Sequence, residues 1–187
     1  MAFGRGAVLS SRRTDARRNR EVILQAADEA FTEDVELVQL SEIARRSGLG
    51  RATVYRHFSD RYALGLAVAE SKLHMLRELV ADTADADFLD VLEELFEEQI
   101  SRRPLARMFR ELPPADQTRY ARRLVAVLTP GLRRAQTAGA IRADVEPADL
   151  VLICEMVEGA VCSQLPLPGG VDSVERVVEV LLAGLRP

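Results

Sequence analysis

A chain of 187 residues, 48% hydrophobic and free of low-complexity runs, is long enough to bury a proper core as one large or two small domains. Its net charge of −4 at pH 7 argues against a uniformly basic nucleic-acid coat, and no apolar run reaches the roughly 18 residues that a membrane span needs. The charge is unevenly spread: residues 1–61 hold eleven Arg against nine acids, residues 62–187 fourteen Lys or Arg against twenty. That asymmetry predicts a phosphate-facing N-terminal part and a larger part with another task.

Residues 1–14 mix Gly, Ser and Arg with little periodicity and read as a flexible, Arg-rich arm. Beside a DNA-binding unit, such an arm can reach the minor groove or the phosphates. Its apolar patch, Ala7, Val8 and Leu9, is too short for a signal peptide, so a cytoplasmic location is expected. From Asp15 to Phe31 the positions Val22, Ile23, Ala26, Ala27, Ala30 and Phe31 follow the helical step, and Glu33 to Gln39 is a short connector. Leu40, Ile43 and Ala44 then mark one stripe of a second helix, and Gly48 can take the positive φ that ends it. A third helix opens near Arg51, with Ala52, Val54 and Phe58 able to face inward. Arg51, Thr53, Tyr55, Arg56 and His57 occupy the rest of its circumference. Helix, glycine turn and helix form a helix-turn-helix, whose second helix can lie in the major groove of DNA. Five Arg against Asp60 alone in residues 45–61 suit that task.

Ser59 or Asp60 can cap a fourth helix running to about Val80, roughly 30 Å long and able to connect the DNA-facing part to the remainder of the chain. Asp82 to Asp87 is an acidic break. Two amphipathic helices come next, from Phe88 to Ile100 and, entered through Pro104, from Leu105 to Leu112. The long segment from Ala115 to Thr137 is helical, with Pro130 expected to kink or divide it, and Gly139 closes it. Pro147 opens a helix, Ala148 to Leu165, that is apolar on more than one side. Pro166 to Gly170 is a loop, and Val171 to Leu185 a final helix dense in Val and Leu. The architecture is all-α, about nine helices, divided as 1–14 arm, 15–61 DNA-binding domain and 62–187 helical domain. Surplus apolar surface on the last two helices predicts a two-fold four-helix interface between two copies, with Leu150, Ile153, Val157, Val161, Val174, Val178, Leu181 and Leu182 at its centre.

Cys154 and Cys162 form no CxxC and read as small core residues. His57 and His74 have no catalytic partners by pattern, so no catalytic residue, metal or cofactor is expected.

The run Ile43-Ala44, Ser47-Gly48-Leu49, Thr53-Val54-Tyr55-Arg56-His57-Phe58, Arg61 and Leu64 resembles the tetracycline-repressor-like (TetR) family of bacterial transcriptional regulators. Gly139-Ala140-Ile141-Arg142-Ala143-Asp144 is similar to the segment that joins that family's long helix to its dimerisation helices. The chain departs from the family pattern where Gln39 stands at the cap of the second helix and Gly50 at that of the third, neither a strong side-chain cap. The resemblance implies that Thr53, Tyr55 and His57 touch phosphates, with Arg61 at the start of the next helix. Arg51, Ala52 and Arg56 are placed to meet base edges, and Arg45 adds a cation beside them. It also implies a palindromic double-stranded DNA operator, a homodimer and a small-molecule effector. Phe88, Phe96, Met108, Phe109, Tyr120, Glu155 and Met156 are the candidate lining of the effector pocket. The resulting reading is a ligand-responsive repressor, not an enzyme. The alternatives are a helical adaptor that never touches DNA and an activator of the same family with no inducer.

Overall fold

The computed structural model describes residues 5–33, 37–84, 87–163 and 173–187, and among them there are nine helices and no strand. The helices are α1 (Arg5–Phe31), α2 (Leu40–Ser47), α3 (Arg51–His57), α4 (Arg61–Asp82), α5 (Phe88–Ser101), α6 (Arg103–Arg110), α7 (Pro114–Thr137), α8 (Pro147–Ser163) and α9 (Ser173–Leu185). The middle of the first connector (34–36), the loop expected at 166–170 and the first residues of the expected last helix lie outside the described residues. Internal contacts divide the chain into Met1–Ala69 and Glu70–Pro187, a division that falls within α4.

In the first unit, α1 begins at Arg5, ten residues before the expected Asp15, so the helix takes in most of the stretch read as an arm. Between Arg5 and Thr14 there is no proline and only Gly6 is strongly unfavourable, so Arg, Ala and Leu carry the helix backwards without an apolar stripe to announce it. Packing begins later: Ile23, Ala27, Ala30 and Phe31 are buried, as are Leu40, Ile43 and Ala44 of α2 and Val54 of α3, with α1 packed on α2 and α2 on α3. Gly48 stands at φ 68° and closes α2, its N–H donating to the Arg45 carbonyl. A residue with a Cβ is strained in that conformation. Asp60 caps α4 by accepting from the Ala63 N–H at 2.8 Å, which settles the choice between Ser59 and Asp60. The same bond lowers the pKa of the Asp60 carboxyl.

The second unit is built around Phe96, Leu92, Leu128, Leu132, Leu150 and Val157, each at most 1% exposed. α7 runs unbroken through Pro130, so proline does not divide it. Beside it, the Thr129 hydroxyl donates to the Val125 carbonyl at 2.6 Å. Gly131 is required by close approach: a Cβ there would lie 2.4 Å from the Phe88 ring and 3.0 Å from Val80. Gly139, at φ 74°, ends the helix. The Gly139 N–H donates to the Gln136 carbonyl and the Ala140 N–H to that of Ala135, at 3.1 and 2.9 Å. This paired arrangement satisfies carbonyls that the helix end leaves open. The turn is then tied down, because Gln136 Nε2 donates to the carbonyls of Arg142 and Val145, and the Arg142 N–H donates to that of Leu185 at 3.0 Å.

Candidate nucleic-acid interface

The sequence order of α2 and α3 dictates which side chains face out. Because α3 is only seven residues long, one buried side chain orients it: Val54 is fully buried, and Phe58 just beyond the helix is also in the core. With that side pinned, Arg51, Ala52, Tyr55 and Arg56 point to solvent, and Thr53 and His57 lie partly covered at the flanks. Ala52 is therefore outside, not among the inward residues where helical spacing puts it. Arg20 of α1 stacks over the Phe58 ring at 4.7 Å, a cation–π contact that steadies the end of α3.

The expected weakness of both caps is real. Neither Gln39 nor Gly50 makes a side-chain capping hydrogen bond; both helix starts rest on backbone bonds, such as Thr53 N–H to the Gly50 carbonyl at 2.8 Å. Tyr55 is 51% exposed, which suits a phosphate donor better than a half-buried core ring. Arg56 Nη2 donates to Thr53 Oγ1 at 3.2 Å, so these two side chains are linked one turn apart on the same face of α3. Arg61 stacks over the Tyr62 ring at 4.6 Å and donates to its hydroxyl at 2.7 Å.

Arg45 and Arg51 share the wall of an open groove of about 490 Å³, lined also by Gln39, Ser41, Glu42, Ala44 and Leu49. Composition alone does not flag the acids here. Glu42 binds both Arg45 and Arg46, and Arg46 reaches across to Glu33, with Nη2 to Oε2 at 2.7 Å. Hydrogen bonds from Arg45 and then Arg46 pull the Glu42 carboxyl down to about 2, and the bond from Arg46 lowers that of Glu33. The sequence signal is present: Glu42 precedes Arg45 and Arg46 by three and four residues, the spacing at which helix side chains meet.

In the second unit the candidate effector residues do not form one set. Phe88, Phe96 and Met108 are buried in the core, and Phe88 is fully used against Gly131. Phe109 and Tyr120 pair at 4.8 Å with rings tilted by 58°, and burial raises the pKa of the Tyr120 phenol. Glu155 and Met156 are exposed on α8 and line no interior with the others. The residue that sequence reading passes over is Glu158. Half-buried, its carboxyl is pushed up to about 7 by desolvation, and Cys154 and Cys162 stand one turn to either side on the same helix face. Burial, with Glu158 nearby, pushes the Cys154 thiol up to about 12.

The expected dimer residues need a correction. Leu150, Val157, Val161, Val174, Val178 and Leu182 belong to the chain's own core, and Ile153 and Leu181 pack against it. The first six are covered because α8 and α9 lie on α5, with α8 also on α7, within one chain, while Ile153 and Leu181 stay partly exposed. The large apolar side chains those helices leave outside are Leu152, Met156 and Val180, each more than half exposed.

With this geometry in place, comparison with known proteins defines the class. Residues 23–68 match the family described as bacterial regulatory proteins, tetR family, and residues 81–187 match the C-terminal domain of the SbtR-like transcriptional regulators. The chain belongs to the TetR family of bacterial transcriptional regulators, which are not enzymes. An HTH-type transcriptional regulator of Mycobacterium tuberculosis, itself uncharacterized, is 40% identical over 79 residues, 41% of this chain and 38% of that protein. The chain thus matches less than two fifths of the length of that relative. Among solved structures, a TetR transcription regulatory protein from Mycobacterium vanbaalenii is 29% identical, with 94% of this chain and 99% of that one covered and a TM-score of 0.65. The FadR repressor of Thermus thermophilus, solved in complex with lauroyl-CoA, shares the fold at 21% identity, with 88% and 93% covered and a TM-score of 0.57.

Proposed function

We propose that the chain is a repressor that binds a palindromic operator as a homodimer and is released by a small molecule. The observation that carries this reading is the outward face of α3, where Arg51, Tyr55 and Arg56 stand exposed on a helix pinned from behind by Val54 and Phe58. Thr53, Tyr55, His57 and Arg61 hold phosphates and fix the register, while Arg51, Ala52 and Arg56 meet base edges. In a dimer the two copies of α3 enter successive major grooves, which requires a separation of roughly 34–36 Å. Leu152, Met156 and Val180 supply the apolar surface for self-association, in place of the buried residues expected from sequence. In this reading residues 15–61 read DNA, residues from 62 onward sense and dimerise, and the protein works in the cytoplasm. No helix among the described residues is long and apolar enough to cross a membrane.

The effector reading is supported by Tyr120, Glu158 and Cys154, polar groups set within an apolar helical unit, and by the fold shared with a repressor that holds lauroyl-CoA. An effector acts only by binding the DNA-free state better than the DNA-bound one. Footprinting of the chain on the DNA upstream of its own gene tests the proposal. Protection of a two-fold symmetric site is expected, and protection without symmetry rules out the dimeric reading.

A further inference from the structure

The groove shared by α2 and α3 contains one feature that works against binding. Arg45 stands at the last turn of α2, beside Arg51 at the start of α3. Its guanidinium fork is already occupied. Nε lies 2.9 Å from Glu42 Oε2 and Nη2 lies 2.7 Å from Oε1, the two-pronged geometry with which Arg grips carboxylates and phosphates alike. The same carboxylate accepts from Arg46 Nε at 2.8 Å.

The two arginines differ in what remains for them. Arg46 is also held by Glu33, which ties the first connector to α2, and its side chain is only 24% exposed. Arg45 has Glu42 as its one hydrogen-bond partner among the described residues, and 73% of its side chain faces solvent. Arg46 is a structural staple, and Arg45 is a cation on loan. We propose that Glu42 is an electrostatic brake on DNA binding, holding Arg45 in an internal ion pair that a DNA phosphate must displace. The inference rests on the DNA-binding reading above. An exposed pair of this kind is weak enough to be displaced by a phosphate. The carboxylate left behind then faces the DNA backbone with its charge uncompensated on one side. Glu42 thereby lowers the sequence-independent part of the affinity, which depends on phosphate contacts, and leaves base reading by Arg51 and Arg56 in control. Hydrogen bonds from Arg45 and Arg46 hold the Glu42 carboxyl well below its ordinary value, so the brake is charged at neutral pH.

A double-mutant cycle on the full chain tests this, read by fluorescence anisotropy with a labelled random-sequence duplex over a series of salt concentrations. Glu42→Gln should tighten binding by about two- to fivefold. It should also steepen the salt dependence by up to about 0.9, because no carboxylate is left to take up a counterion when Arg45 moves to a phosphate. Arg45→Ala should cost little in the native background and should abolish the gain in the Glu42→Gln background. Additive effects, or native-like binding by Glu42→Gln, overturn the brake while leaving the DNA-binding reading intact. No binding by the native chain at low salt overturns both. If Glu42→Gln fails to fold, the Nε–Hε resonance of Arg45 in the native chain decides. It should shift when duplex is added, and an unchanged signal overturns the proposal.

Discussion

Helices α3 and α8 are turned inside out with respect to each other. α3 buries one residue, Val54, and displays arginines and a phenol, whereas α8 buries Leu150, Cys154, Val157 and Val161 and displays Leu152 and Met156. In the proposed reading each outward face is matched to a different partner: cations and donors to phosphate and base edges, aliphatic surface to another apolar protein face. The inward faces differ too. Against a single small anchor, α3 relies on its neighbours for stability. α8 sits in a full core and still carries a half-buried acid, Glu158.

The largest effect should come from the core that α8 packs against. Phe96→Ala should destabilise the second unit by about 3–5 kcal/mol. Met156→Ala, on the outer face, should change stability by no more than about 0.5 kcal/mol, with urea unfolding as the measurement. Comparable losses at both positions would erase the distinction between the two faces of α8. Next, Leu152→Glu combined with Met156→Glu should yield a folded monomer by sedimentation. Operator affinity should then fall at least about tenfold, since two half-sites bind far better when joined. A dimer that survives both charges would move the interface elsewhere.

On α3 the contrast lies within one helix. Arg56→Ala should cost about 1–3 kcal/mol at one base position and relax preference there. Tyr55→Phe with His57→Ala should weaken all sequences alike. A selection experiment on randomised operators separates the two, and the reverse pattern would sink the role assignments. The smallest effect concerns pH. A carboxyl raised to about 7 in the folded chain binds its proton more tightly there than in the unfolded chain, whose ordinary value is 4.5. Stability from this group is therefore fully present below 4.5, declines between 4.5 and about 7, and stays lost above that. Glu158→Gln should flatten the fall in Tm over that interval; an unchanged pH profile would show that Glu158 titrates alike in both states.

The same comparison explains what is legible in the sequence. Leu40, Ile43 and Ala44 at helical spacing, then Gly48, then a basic run, are local signals, and local signals survive into structure with their meaning intact. The end of α7 at Gly139 is readable for the same reason. α8 is harder, because a helix apolar on several sides has no unique inward stripe. Periodicity cannot say which apolar face meets the chain itself, so it assigns Leu150 and Val157 to a partner when they fill the core. The start of α1 escapes because a helix without a stripe leaves no periodic mark. Glu42 is hidden when charge is counted instead of paired.

The central claim, that α3 and its flanking cations hold DNA through its phosphates, is tested most directly by the salt dependence of binding to the chain's own upstream DNA. If the account holds, the logarithm of the affinity falls linearly with the logarithm of salt concentration, each neutralised phosphate adding about 0.9 to a slope of several. Affinity independent of salt, or none at low salt, would contradict it.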